Sequence, residues 1–283
     1  LAMLGRTACC YARGEQEQYG PDHPLYPLAY RVGLFGHGIA PSGGEGYCLA
    51  VLCCTGGRAG MTRALQAYQR RFRIYEPARD GLILSNTWGD RSQDSRINET
   101  FLRGEIEAAS RLGVEVVQID DGWEKGVTQT SVRAGGVWEG FWKSDPHFWQ
   151  VNPERLPNGL EPLIAEATGR GMQFGLWYAP DSSNDFANWK RDATRIVELH
   201  ETLGVNYFKI DSVNVQSTIG QRNLHAFFDE VLRRSDGKIV LDLDVTAGVR
   251  PGYFGRMDNG PLFVENRYTD IHRYWPHQTL RNL

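Results

Sequence analysis

The chain has 283 residues, 41% of them hydrophobic, and 31 lysines and arginines against 34 aspartates and glutamates, for a formal net charge of −3. That length suits one large core plus part of a second, because single cores stop growing at ~250–300 residues. The charge balance gives no electrostatic reason to expect nucleic acid or an anionic membrane as partner, and no apolar run reaches the ~18 residues that a membrane span needs.

The chain opens Leu1-Ala2-Met3-Leu4, without an initiator Met and without the charged and apolar regions of a leader peptide, so this end does not decide whether the protein is exported. Residues 1 to about 55 are rich in Gly, Pro and Tyr, with short apolar runs such as Tyr47 to Cys54. Strand-like pieces between Gly clusters predict the end of a β-sandwich. The cysteines (Cys9, Cys10, Cys48, Cys53 and Cys54) make no disulfide framework and no CxxC, and read as small buried strand thiols favouring a reducing, cytoplasmic setting. Met61, Leu65, Tyr68 and Phe72 then follow at helical intervals, and Pro77 ends that segment. The predicted division is 1–76, sandwich end and linking helix, and 77–283, a second domain.

From Gly81 the chain alternates strand and helix. Apolar runs at Leu82–Trp88, Val114–Ile119, Phe174–Tyr178, Tyr207–Ile210, Ile239–Leu243 and Leu262–Val264 read as strands. Amphipathic stretches lie between them: Ile106, Ala109 and Leu112 share a face, as do Ile196, Leu199 and Leu203. This alternation predicts an α/β fold with a parallel sheet, and no phosphate-binding glycine motif follows any strand. A (β/α)8 barrel of TIM type, ending after its sixth strand, is the expected architecture.

Polar and aromatic residues collect just after those strands: Trp88, Asp120-Asp121, Asp181, Asp211, Asp242, Asp244 and Asp270. Strand ends converge on one face of a barrel, and a carboxylate buried there without a partner costs several kcal/mol, about the penalty that tells against a packing role. Trp88, Trp123, Trp138, Trp142 and Trp177 lie near the same ends, and flat apolar rings suit the C–H faces of pyranoses. Strand alternation puts Lys209 and Asp211 on one side, where the ammonium keeps the carboxylate ionised, as a nucleophile requires. A structural ion pair is the plainer alternative. Asp120-Asp121 before Gly122 suits a carboxylate pair holding vicinal hydroxyls, or a turn. Ser182 to Asp185 reads as a capping loop from which Asp181 reaches the sugar.

Asn86-Thr87-Trp88, Ile119-Asp120-Asp121-Gly122-Trp123, Phe174-Gly175-Leu176-Trp177 and Phe208-Lys209-Ile210-Asp211 occur in this order, and together they resemble the barrel of the α-galactosidase clan, closest to glycoside hydrolase family 36. Gly60-Met61-Thr62-Arg63-Ala64-Leu65 resembles the link from that family's N-terminal β-domain, so the resemblance covers about residues 30 to 283. It implies Asp211 as nucleophile, Lys209 beside it on the sugar, Asp120 and Asp121 on the galactose hydroxyls, and Trp88 and Trp177 in the site wall. Arg267 resembles an arginine near the nucleophile's side of the sugar. The general acid/base falls in Phe263 to Asp270, with Asp270 the first choice and Glu265, nearer the strand end, the competitor. Tyr178-Ala179-Pro180-Asp181 and Ser212-Val213-Asn214 depart from the family wording.

The implied activity is retaining hydrolysis of a terminal α-galactoside, in an oligosaccharide or glycoconjugate, by double displacement. Retention needs two carboxyls ~5–5.5 Å apart. Alternatives are a galactosyltransferase of the raffinose or stachyose synthase kind, an α-N-acetylgalactosaminidase, a carbohydrate-binding barrel without turnover, and a metal-dependent hydrolase. The seven histidines form no HxH or HExxH, so no metal or organic cofactor is expected. Assembly into a homo-oligomer stays open.

Overall fold

The computed structural model describes residues 2–5, 49–71, 75–90, 92–215, 217–244 and 259–263. Two strands, β1 (Ala2–Gly5) and β2 (Leu49–Leu52), pair antiparallel, and helix α1 (Gly57–Arg70) follows. The expected sandwich otherwise lies outside the described residues, as do Cys9, Cys10 and Cys48. Cys53 and Cys54 depart from the expectation of buried thiols: both are free and exposed, because they follow the strand rather than sit in it.

The remaining strands form one sheet: β3 (Leu84–Asn86), β4 (Val116–Ile119), β5 (Gln173–Tyr178), β6 (Tyr207–Ile210), β7 (Val240–Asp244) and β8 (Leu262–Phe263). They are hydrogen-bonded in chain order and parallel throughout. Helices α2 (Glu99–Leu112), α3 (Phe141–Ser144), α4 (Glu161–Gly169), α5 (Ser183–Phe186), α6 (Trp189–Leu203) and α7 (Thr218–Arg234) connect them. Parallel neighbours need such crossovers, and each strand–helix–strand step in one rotational sense yields a (β/α) barrel arrangement.

Local chemistry sets these elements. Asn98 caps α2 by accepting from the Phe101 N–H at 3.0 Å, and Gly113, at φ 74°, ends it with its N–H turned back on the last carbonyls. The buried face of α2 is Leu102, Ile106 and Ala109, each leucine- or isoleucine-sized side chain contributing roughly 1.5–3 kcal/mol. Leu112, expected on that face, is 79% exposed, because the helix stops at Gly113 before its last turn reaches the sheet. In α6, Ile196 and Leu199 are buried and Leu203 is half-buried.

The sheet has two unlike faces. Val117, Ile119, Phe174, Leu176, Phe208, Ile210, Leu241 and Leu243 join the helices in the main core. The alternate positions face the lumen, where Val116, Tyr207 and Val240 form an apolar floor with Leu82 and Leu84. Above that floor the lumen turns polar, with Asn86, Gln118, Lys209 and Asp242 on facing strands. Gly175 is also a lumen position: a Cβ there would lie 2.9 Å from the Tyr207 carbonyl oxygen and 3.2 Å from Gln118 Cγ.

Candidate active site at the strand ends

Among the described residues, the most buried charged group in the lumen is Lys209, 1% exposed, on β6. Its Nζ donates to Asp120 Oδ2 at 2.7 Å and stands 3.3 Å from Asp244 Oδ2 and 4.2 Å from the Phe263 ring centroid. Burial alone favours the neutral amine, but Asp120, Asp244 and Asp211 together outweigh it and raise the lysine pKa. Lys209 is therefore a fixed cation at neutral pH. Asp242, opposite Lys209 in register, is pushed up to about 7 by burial, with the Lys209 charge opposing.

Asp120 directly follows β4, 3% exposed, and its partners come from β3, β6 and the turns beside it. Asn86 Nδ2 donates to Asp120 Oδ2 and to Gln118 Oε1, both at 2.8 Å. The Asp120 N–H donates to Thr87 Oγ1 at 2.9 Å, and Asp120 Oδ1 accepts the Asp121 N–H at 2.9 Å. Asn86 and Thr87 carry no role in the sequence reading. Their pairing needs β3 and β4 in parallel register, which no local pattern states.

Asp121 turns away from Lys209 toward the long segment after β4. Its Oδ2 accepts from Thr130 Oγ1 at 2.8 Å and from Thr128 Oγ1. Gly122, at φ 118°, makes the turn possible: a Cβ there would lie 2.4 Å from Arg155 Nη1 and 2.7 Å from Asp94 Cβ. Arg155 donates to the Gly122 carbonyl at 2.9 Å and to Asp94 at 2.7 Å, bracing the turn from behind.

Asp211 follows β6 and is half-buried. Trp177 Nε1, from the end of β5, reaches Asp211 Oδ2 at 3.2 Å, and the Ser212 N–H donates to Asp211 Oδ1 at 2.6 Å. Ser212 takes φ 56°, a left-handed conformation costly for a residue with a side chain, and the turn aims the Asp211 carboxylate. Ser212 Oγ donates to the Trp138 carbonyl at 3.3 Å, and the Trp138 and Trp177 rings lie 6.5 Å apart. Trp88 is half-buried just beyond Asn86, whose Oδ1 accepts its N–H at 2.8 Å. Trp88, Asp120, Trp177, Lys209 and Asp211 thus occupy the ends of adjacent strands, with Asp121 directly behind Asp120. Glu265, Arg267 and Asp270 lie outside the described residues.

Three sequence expectations change on contact with the structure. Asp181 does not face the lumen: it is fully buried, Oδ1 accepting from Gly140 N at 2.7 Å and Ser183 N at 3.1 Å, and Oδ2 from Asn188 Nδ2 at 2.9 Å. Trp123 and Trp142 are core side chains, their indole N–H groups donating to the Trp177 carbonyl and to Asp192. Asp192 on α6 carried no signal in the sequence, yet it ties three elements together. It accepts from Trp142 Nε1 and Tyr178 Oη, both at 2.8 Å, and from the Asp181 N–H at 3.0 Å, and burial pushes its carboxyl up to about 7.

Comparison with known proteins agrees with this arrangement. The α-galactosidase AgaA of Geobacillus stearothermophilus is 35% identical over 103 residues, which are 36% of this chain and 12% of that protein. The α-galactosidase of Escherichia coli is 33% identical over 87 residues, 31% of this chain and 11% of its own length. Among solved structures, a glycoside hydrolase family 36 α-galactosidase AgaA from G. stearothermophilus in complex with 1-deoxygalactonojirimycin superposes with a TM-score of 0.54 at 21% identity, covering 73% of this chain and 34% of that one. The α-galactosidase TtGalA from Thermus thermophilus in complex with stachyose gives a TM-score of 0.50 at 19% identity, covering 71% and 47%. At such identities the structural likeness is one of fold, and this chain spans less than half the length of either solved relative. The Melibiase family model matches residues 48–206, more than half of the sequence, including the Asp120-Asp121 turn and Trp177. The chain belongs to the Melibiase family.

Proposed function

We propose that this chain carries the catalytic barrel of a retaining α-galactosidase acting on terminal α-galactosides of oligosaccharides or glycoconjugates, with Asp211 as nucleophile. The observation that carries the reading is the setting of Asp211. It is a half-buried carboxylate at a strand end, oriented by Trp177 and by its own strained turn, beside a permanently charged lysine that is itself clamped by Asp120 and Asp244. A carboxylate so held attacks an anomeric carbon without first reorganising. The relatives named above as α-galactosidases, and the stachyose complex of one of them, support the substrate class.

In this reading Trp88 and Asp120 meet the sugar, Lys209 orients it and offsets charge, Asp121 backs Asp120, and Trp177 aims the nucleophile. Asp270 serves as acid/base and Arg267 as a sugar contact, with Glu265 the competing acid/base; the barrel occupies residues 77–283 after the end of a β-sandwich domain at 1–76. Asp211 displaces the aglycone, whose oxygen takes the proton of the acid. Water then gives its proton to the same residue and releases the sugar with net retention.

The test is hydrolysis of p-nitrophenyl α-galactoside by the full-length protein, wild type beside Asp211→Ala. Turnover lost in the variant and restored by azide, with β-galactosyl azide as product, supports the assignment. Unchanged turnover in the variant, or α-galactosyl azide, sinks it.

A further inference from the structure

Glu124 lies three residues beyond Asp121 and is 1% exposed, against 2% for Asp121. Its Oε2 accepts the Gly122 N–H at 3.0 Å, so the side chain folds back over the Gly122 turn. Its backbone is fixed as well: Glu124 pairs with Val151 in an antiparallel bridge, and its carbonyl accepts from Asn152 Nδ2 at 3.3 Å. Asp121 Oδ2 is already occupied by Thr128 and Thr130. One oxygen of each carboxyl remains, Asp121 Oδ1 and Glu124 Oε1, and both are buried with no N–H or O–H donor among the described residues. The Glu124 carboxyl, held at the Gly122 N–H next to Asp121, and the Asp121 carboxyl act on each other's charge.

Two carboxylate oxygens left side by side without donors repel, and a proton on one of them turns that repulsion into a hydrogen bond. Among the described residues, the charged groups around the pair supply no alternative. Asp120 adds a like charge, and Lys209 is engaged by Asp120 and Asp244. Arg155 is committed to the Gly122 carbonyl and Asp94, and Lys125 reaches outward to Asp145 at 3.4 Å. We propose that Asp121 and Glu124 share one proton between Asp121 Oδ1 and Glu124 Oε1, making Glu124 the positioning residue that holds Asp121, and with it the turn behind Asp120, in place. Burial first, then the Asp121 charge, raises the Glu124 pKa well above the ordinary carboxylate range, in line with a proton residing there at neutral pH. When that proton leaves, two buried carboxylates face one another and the segment 122–130 loses its anchor.

Glu124→Gln tests this on the full-length protein, because an amide gives Asp121 a permanent donor while still accepting from the Gly122 N–H. A folded-state pKa raised above the unfolded one means that the native state holds the extra proton, so wild-type stability falls as pH rises through that window. Asp192 and Asp242 contribute alike to both proteins and cancel in the difference. The expected result is a stability advantage of Glu124→Gln over wild type that widens from about pH 5 to about pH 8, together with loss of one protonated-carboxyl stretch from the infrared difference spectrum. Parallel stability curves, or no carboxyl band lost, overturn the proposal. Should Glu124→Gln not fold, Asp121→Asn removes the like charge from the other side and must show a widening gap of the same sign, smaller because burial still acts on Glu124. In activity, which alone rests on the proposed glycosidase reading, the alkaline limb of kcat/KM moves to higher pH in Glu124→Gln. Absence of turnover in wild type counts against the glycosidase reading and leaves the stability and infrared results to decide the shared proton.

Discussion

Two regions of this molecule bury carboxylates at similar depth and compensate them differently. In the lumen, Asp120 and Asp244 converge on Lys209, a cation 1% exposed. In the layer between the sheet and its outer loops, Asp181 and Asp192 meet no cation in their hydrogen bonds among the described residues; they accept from backbone N–H groups, Asn188, Tyr178 and Trp142. The first solution leaves a charged, oriented cluster at the mouth of the sheet. The second is a tie, binding the loop near Gly140, the end of β5 and helix α6 into one unit. A carboxylate kept for chemistry needs a charge partner that stays charged. One kept for architecture needs only donors, and at Asp192 burial pushes the carboxyl up to about 7.

Removing the cation is the most damaging way to break this contrast. Lys209→Met leaves Asp120 and Asp244 buried without a partner, and a loss of about 3–5 kcal/mol is expected in urea unfolding, along with all turnover. A loss under about 1 kcal/mol would show that water replaces the lysine. Asp192→Ala strips an acceptor from two side-chain donors and one backbone N–H. About 2–4 kcal/mol is expected by the same measurement, with Asp192→Asn costing less because its carbonyl oxygen still accepts.

The protonation states sharpen the comparison further. Asp192 and Asp242, both pushed by burial to about 7, hold protons in the folded state that they lose in the unfolded one. The native state therefore binds more protons above the ordinary carboxylate range, and stability falls as pH rises toward about 7. Asp94 acts in the opposite sense: burial disfavours its charge, but Ser131, the Val132 N–H and Arg155 overcome this and lower its pKa, so its contribution is lost only in acid. Thermal midpoints measured from about pH 4 to 9 should peak on the acid side of neutrality, and Asp192→Asn should flatten the fall. A midpoint rising steadily to about pH 9 would show both carboxyls ionised. The smallest effect belongs to an exposed pair. Arg103→Ala, which removes the surface ion pair with Glu166, is expected to cost about 0–1 kcal/mol, diminishing with added salt.

The strands were legible because their signal is local. Parallel strands covered on both faces read as short apolar runs, and those from Val114, Phe174, Tyr207, Ile239 and Leu262 each overlap a strand of the sheet. Lys209 and Asp211 were legible by alternation, and the Asp120-Asp121-Gly122 turn by its glycine, which the close approach of Arg155 and Asp94 makes necessary. Leu112 was misplaced because helical spacing says which residues share a face but not where the helix stops meeting the sheet.

By itself, then, the sequence determined the order of strands and helices, the acids that would stand at the strand ends, and family membership through motifs in series. Tertiary structure decided what each acid does there. Asp181 and Asp211 look alike in sequence, each an aspartate just past a strand. One turns back onto Gly140 and Asn188, and the other is aimed by Trp177 across the strand ends. The donors at Gly140 and Trp177, 41 and 34 residues away, make that difference. Hydrogen bonds are directional and short in range, so a carboxyl's role is set by whichever groups the fold carries to within about 3 Å of it.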